Sequence, residues 1–250
     1  MLNFETYGTA TDLPSLLIAH GLFGSARNWG VIAKRMSTDR KVIAVDMRNH
    51  ANSFWANSHS YADLAADLAE VLEQQGKMDV MGHSMGGKAA MVLALSRPNL
   101  VNRLVVADIA PMAYSHTQNH LIAAMRKVDL SKVERRSDAD AQLAQWVETP
   151  ATRAFLLQSL DVKRKCWVLN LDVLEAEMDK ITGWPEISGC FTGPTLFLSG
   201  ADSDYVPREA RDAITALFPK AKFAKIPGAG HWLHAEKPRE FEAALRVFLS

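Results

Sequence analysis

Short apolar runs recur along the chain, and each is closed by a loop rich in Gly, His or Asp. Leu16-Leu17-Ile18-Ala19 runs into His20-Gly21, Val42-Ile43-Ala44-Val45 into Asp46, and Asp79-Val80-Met81 into Gly82. Leu104-Val105-Val106-Ala107 ends at Asp108, Thr195-Leu196-Phe197-Leu198 at Gly200, and Lys222-Phe223-Ala224-Lys225-Ile226 at Pro227-Gly228. Unbroken apolar runs of this length suit strands covered on both faces, the condition of a parallel sheet. Helical spacing fills the gaps between them. Leu64, Leu68, Val71 and Leu72 fall on one face of a helix from Tyr61 to Glu73, and an Ala- and Leu-rich stretch from Lys88 to Ser96 stops before Arg97-Pro98.

The alternation breaks between about Ser115 and Cys190. Helical patterns occur there around 119–127, 139–147, 152–160 and 169–178, with no convincing strand among them. The pattern predicts an α/β fold with a mostly parallel central sheet and helices on both faces. Its core comprises residues 1–114 and 191–250, and residues 115–190 form a helical cap inserted over the strand ends. In such sheets functional groups sit just past the carboxyl ends of the strands, and every polar cluster singled out below lies at one.

Composition narrows the function. The 250 residues suffice for one large domain or a core with an insertion. Lys plus Arg and Asp plus Glu both number 28, so the chain has no electrostatic footprint for nucleic acid or an anionic membrane. A neutral or uncharged substrate is the easier expectation. Cys166 and Cys190 have no metal-type spacing, and neither a disulfide framework nor a metal site is expected. The start, Met1-Leu2-Asn3-Phe4-Glu5, lacks the basic and apolar regions of a secretory leader, and no stretch approaches the length of a transmembrane helix. A cytoplasmic location is the resulting expectation.

The candidate chemistry centres on Gly82-His83-Ser84-Met85-Gly86, lying between a strand and an Ala-rich helix. Gly-x-Ser-x-Gly in that context marks a nucleophile elbow: small residues on either side let strand and helix approach closely enough to hold Ser84 on a sharp turn at a helix N-terminus. The blander alternative is a serine capping a helix beside structural glycines. Acyl transfer also requires two N–H donors aimed at an oxyanion. The amide of Met85 is one, and the loop His20-Gly21-Leu22-Phe23-Gly24-Ser25 supplies the other, with Leu22 preferred over Phe23. His20 is expected to brace that loop, and Phe23 and Trp232 to line the substrate pocket.

Eight histidines compete for the role of base. His231, in Gly228-Ala229-Gly230-His231-Trp232, follows the last strand and gives the chain order nucleophile, acid, base expected of such an elbow. His234 is the alternative. His50 precedes Ser84 and reads as a loop brace, whereas His59, His116 and His120 show no spacing pattern.

Together, His-Gly-Leu-Phe-Gly-Ser, Asp-Met-Arg-Asn-His, Gly-His-Ser-Met-Gly-Gly-Lys, Asp-Ile-Ala-Pro and Gly-Ala-Gly-His-Trp-x-His-Ala-Glu-Lys-Pro resemble the α/β-hydrolase superfamily, and within it the YbfF-type bacterial esterases. The likeness spans Leu16 to the C-terminus and is weakest in the cap. It implies a serine carboxylesterase acting without a cofactor on small acyl esters, and on acyl thioesters as a further option. C–C hydrolase, perhydrolase and acyltransferase activities share the same motifs, as does a ligand-binding protein on this scaffold. Dehalogenases and epoxide hydrolases carry Asp at the elbow, and Ser84 argues against both.

The acid departs from the commonest superfamily pattern. In Gly200-Ala201-Asp202-Ser203-Asp204-Tyr205-Val206-Pro207 the usual position of the acid holds Ser203, flanked by Asp202 and Asp204. Asp108, at the end of the strand after the nucleophile helix, is the alternative position that the resemblance favours, with Ser203 lending a hydrogen bond to the same cluster. The aromatic residues Trp146, Phe155, Trp184 and Phe191 are candidates for walling the pocket from the cap.

Overall fold

A computed structural model describes all residues, 1–250. Its strands are β1 (Phe4–Tyr7), β2 (Leu16–Ala19), β3 (Val42–Val45), β4 (Met78–His83), β5 (Val101–Ala107), β6 (Leu160–Asp161), β7 (Cys166–Trp167), β8 (Thr195–Gly200) and β9 (Ala221–Ile226). The helices are α1 (Gly30–Met36), α2 (Tyr61–Gln75), α3 (Met85–Ser96), α4 (Asn119–Arg126), α5 (Arg136–Leu143), α6 (Pro150–Leu156), α7 (Leu171–Ala176), α8 (Met178–Thr182), α9 (Arg211–Leu217), α10 (Leu233–Glu236) and α11 (Pro238–Leu249). No helix is long and apolar enough to cross a membrane.

Seven strands form one sheet in the order β1-β3-β2-β4-β5-β8-β9, parallel except for β1, which runs antiparallel to β3 at the edge. Side chains of the central strands alternate between two buried clusters, as the two-residue period of a strand requires. Leu16, Ile18, Val42, Ala44, Met81, Val105 and Ala107 face α1 and α11 through Ile32, Met36, Phe241 and Leu245. Leu17, Ala19, Ile43, Val45, Val80, Leu104 and Val106 face the other way, toward α2 and α3. All six apolar runs of the sequence become strands of this sheet.

Two differences from the hydropathy pattern are small and have physical causes. The pattern does not reveal the edge strand β1: its Glu5 and Thr6 are exposed, and Phe4 and Tyr7 are only half-buried. Residues 108–194, between β5 and β8, carry α4 to α8 as the helical pattern suggests, but also a hairpin of two-residue strands, β6 and β7. Such short strands leave no periodic trace.

Register places the chemistry. Ala19 stands opposite Gly82, His83 opposite Ala107, and Ala107 opposite Leu198. His20, Ser84, Asp108 and the turn after Ser199 therefore leave the sheet along one edge. The tight passage from β4 into α3 depends on missing side chains. A Cβ on Gly82 would lie 2.1 Å from the Gly86 carbonyl oxygen, and one on Gly86 would lie 2.4 Å from the oxygen of His20 and 2.5 Å from that of Ala19. These neighbours are backbone and cannot swing aside.

Gly86→Ala is accordingly expected to lower the unfolding free energy by about 1–3 kcal/mol, the usual range for overpacking a tight core. Urea unfolding followed by circular dichroism measures it. An unchanged midpoint would contradict the close approach of α3 to the end of β2.

Candidate active site

Ser84 occupies the turn between β4 and α3 with φ 52° and ψ −120°, a conformation costly for a residue with a Cβ. Its amide donates to Ala107 O at 3.0 Å, and its carbonyl accepts the Lys88 amide at 3.0 Å, so the turn is held from both sides. Met85 is the first residue of α3, and its N–H has no intrahelical acceptor.

Asp108 also has positive φ, 51°, at the turn off β5. Its carboxylate is fully buried and accepts three hydrogen bonds: from the Gly200 amide to Oδ1 at 3.0 Å, and from the Ser203 hydroxyl at 2.5 Å and His231 Nδ1 at 2.7 Å to Oδ2. With its Nδ1–H donated to Asp108, the neutral ring carries its free lone pair on Nε2. Asp202 and Asp204 are exposed and make no bond to the imidazole. Ser203 points its hydroxyl at Asp108.

His231 is confined on its other sides. The Tyr205 ring stacks on it, with centroids 4.0 Å apart and planes 22° from parallel, and His83 Nε2 donates to its carbonyl at 2.8 Å. Tyr205 is itself tied down, its carbonyl accepting the Tyr114 hydroxyl at 2.7 Å. His234 instead stacks on Trp29 at 4.0 Å and meets no carboxylate; burial pushes its pKa down to about 3. No motif in the sequence singles out Tyr205. Its position two residues beyond Ser203 is the available signal.

The loop after β2 is fixed by two buried histidines, both acting as neutral acceptors. His20 Nε2 accepts the Met47 amide at 2.9 Å, and His20 Nδ1 lies 2.8 Å from Gly21 O. His50 Nε2 accepts the Phe23 amide at 3.2 Å while its Nδ1 faces Arg48 O at 2.8 Å. The Phe23 N–H is thereby occupied. The Leu22 N–H, in contrast, donates to no atom of the chain. His59 completes the cluster, its Nε2 lying 3.2 Å from Met85 Sδ.

Beside these groups lies a cavity of about 320 Å³. Ser84, His231, Leu22, Phe23, Met85 and Trp232 all line it. Of the aromatic candidates for the cap wall, only Phe155 does so, its ring 5.5 Å from that of Trp232. The other three correct the sequence expectation. Trp146 is exposed, with the Lys127 ammonium over its ring, Phe191 is buried in the core, and Trp184 packs against the core away from the cavity. Lys88 also lines the cavity, which the sequence does not disclose because it reads as the one charged residue of an apolar helix. No group of three His, Cys, Asp or Glu side chains is placed to hold a metal ion.

A family model described as the alpha/beta hydrolase fold matches residues 14–238. The chain is similar to the sn-1-specific diacylglycerol lipase ABHD11 of Mus musculus, with 43% identity over 97% of this chain and 83% of that protein. It is also similar to Esterase YbfF of Escherichia coli strain K12, with 38% identity over 94% of this chain and 92% of that one. Among solved structures, a marine microorganism esterase superposes with a TM-score of 0.92 at 36% identity, covering 99% of this chain and 98% of its own.

The buried histidines make stability depend on pH. Burial lowers the pKa of His20 to about 4 and that of His50 to about 3, below the ordinary 6.5. The unfolded chain therefore binds protons that the folded chain refuses, and stability is lost as pH falls below 6.5. Each such histidine contributes a slope of up to about 1.4 kcal/mol per pH unit. His50→Gln keeps an acceptor for the Phe23 amide but cannot titrate. Urea unfolding between pH 6.5 and 4.5 should show a shallower loss for this variant, and an identical slope would contradict the account.

Proposed function

The chain belongs to the α/β-hydrolase family, and from that premise we propose that it is a serine carboxylesterase. Its substrates are small acyl esters, with acyl thioesters as a chemically equivalent extension, and the reaction passes through a covalent acyl-enzyme. One observation carries the reading: a buried carboxylate holds the Nδ1 side of an imidazole at 2.7 Å, and that imidazole shares its cavity with a serine held in a strained elbow.

In the proposed mechanism His231 Nε2 takes the Ser84 proton as the hydroxyl oxygen attacks the ester carbonyl carbon. Asp108 fixes the tautomer and stabilises the imidazolium that forms. The carbonyl oxygen becomes an oxyanion and accepts the N–H groups of Leu22 and Met85. Preorganised donors of this kind supply a large share of such a rate enhancement. As the tetrahedral intermediate collapses, the C–O bond to the alcohol breaks, and the alcohol leaves with the proton from His231. Water then gives its proton to His231, attacks the acyl-Ser84 carbonyl and frees the acid, restoring the serine.

Phe23 and Trp232 wall the substrate on the core side. Residues 115–190 serve as a cap through Phe155, Ile181 and Thr182, which line the same cavity. Ester hydrolysis is the chemistry named for the esterase and lipase relatives, which favours it over the other reactions open to a serine elbow.

Kinetics on p-nitrophenyl acetate and butyrate test the assignment. Ser84→Ala and His231→Ala are each expected to lose on the order of 10⁶ in kcat if the group acts as a unit. Asp108→Asn should lose about 10⁴ by holding the wrong tautomer. Ser203→Ala should lose roughly tenfold or less, the worth of one neutral hydrogen bond. Asp202→Asn, Asp204→Asn and His234→Ala should keep most turnover, with folding checked by circular dichroism. Near-wild-type activity in Ser84→Ala would overturn the reading, and an inactive Asp202→Asn beside an active Asp108→Asn would move the acid to the loop after β8.

A further inference from the structure

Three cationic side chains are buried in this protein: Arg40, Arg48 and Lys88. Two follow the usual rule that a buried charge is paired. Arg40 meets Asp79 at 3.2 Å, and Arg48 meets Asp67 at 2.5 Å and Asp63 at 3.4 Å. Lys88 is only 1% exposed and has no carboxylate within ion-pair distance. It is also the sole Lys, Arg, Asp or Glu among the residues lining the catalytic cavity.

The surroundings of the ammonium are neutral and incomplete. Nζ donates to Thr182 O at 3.0 Å and Gly183 O at 2.5 Å, at the end of α8. The rings of Tyr114 and Tyr61 lie 4.7 and 5.5 Å from it. An ammonium has three N–H donors, and two are used. Burial with no opposing carboxylate brings its pKa down to about 7. Fastening α8 to α3 does not require a charge, since a neutral amide donor would satisfy the same carbonyls without the desolvation cost. The position is one helical turn beyond Ser84, whose carbonyl accepts the Lys88 amide.

We propose that Lys88 binds a carboxylate carried by the substrate, so that the preferred esters are anionic. The inference rests on the esterase reading of Ser84 and names its substrate class. At the buried Lys88 ammonium, between the Tyr61 and Tyr114 rings, such a pair is screened far less than at the surface. The carboxylate arrives on either side of the scissile bond: on the acyl part, as in a half-ester of a dicarboxylic acid, or on the alcohol part, as in an acylated hydroxy acid.

Matched pairs of esters test the proposal. On the acyl side, mono-p-nitrophenyl succinate and glutarate are compared with p-nitrophenyl butyrate and valerate. On the alcohol side, 4-(butyryloxy)benzoate is compared with phenyl butyrate. The wild-type enzyme should favour the anionic member of at least one pair by roughly tenfold or more in kcat/KM, the scale of a desolvated charge pair. The pair that shows the preference identifies the side. Lys88→Gln should collapse that ratio and Lys88→Arg should restore much of it. A neutral preference in every pair, or an anionic preference that survives in Lys88→Gln, would overturn the proposal. If Lys88→Gln does not fold, the wild-type comparison alone decides. Should no ester be hydrolysed, the esterase reading falls, and calorimetric titration of glutarate and 4-hydroxybenzoate into wild-type protein decides this one: binding lost in Lys88→Gln upholds it, and no binding ends it.

Discussion

The Asp108 carboxylate is buried, charged and shared, and the geometry of the candidate site follows from satisfying it. Taking a carboxylate out of water is tolerable only when its lone pairs are filled. Here the Gly200 amide, the Ser203 hydroxyl and His231 Nδ1 fill them. Those donors come from the end of β8, the loop that follows it, and the loop after β9, whereas Asp108 itself directly follows β5. One side chain thus ties three neighbouring segments of the sheet together at the edge where Ser84 emerges. The imidazole cannot turn without leaving that charge short of a partner, and the stacked Tyr205 ring blocks rotation from another direction.

The backbone around this cluster holds most of the strained turns of the chain. Of six non-glycine residues with positive φ, five are Phe23, Asn49, Ala51, Ser84 and Asp108, all in the loops at the carboxyl ends of β2 to β5. Such conformations persist only where neighbours over-determine them. Gly82 and Gly86 do so for Ser84 through the contact of α3 with β2 and β4. His20 and His50 do so for residues 20–25, and by occupying the Phe23 amide His50 leaves Leu22 as the loop's available donor. Neutral histidines suit this duty because each offers one acceptor and one donor, without the desolvation cost of a fixed charge.

Much of this is legible in the sequence, for reasons that also explain what is not. The central strands announce themselves because burial on both faces demands unbroken apolar runs, and the elbow because its glycines answer to close backbone contact. The Asp108–Ser203–His231 grouping is legible through the departure of residues 200–207 from the common pattern together with an Asp just past β5. The edge strand β1 and the hairpin β6–β7 are not, since one is half-exposed and the other is too short for a period to register. Aromatic identity alone does not tell which of Trp146, Phe155, Trp184 and Phe191 faces the cavity, because burial against the core and burial against a pocket select the same side chains. Lys88 is illegible for a related reason: its meaning lies in the carboxylate it lacks, and only tertiary structure shows that.

The most direct test of the central claim, that Asp108 organises Ser84 and His231 for acyl transfer, is a crystal structure of the protein after reaction with a p-nitrophenyl phosphonate. The account predicts phosphorus bonded to Ser84 Oγ, with a phosphonyl oxygen within hydrogen-bonding reach of the Leu22 and Met85 amides and His231 Nδ1 still on Asp108. An imidazole turned toward Asp202 or Asp204, or a phosphonyl oxygen held by other donors, would contradict it.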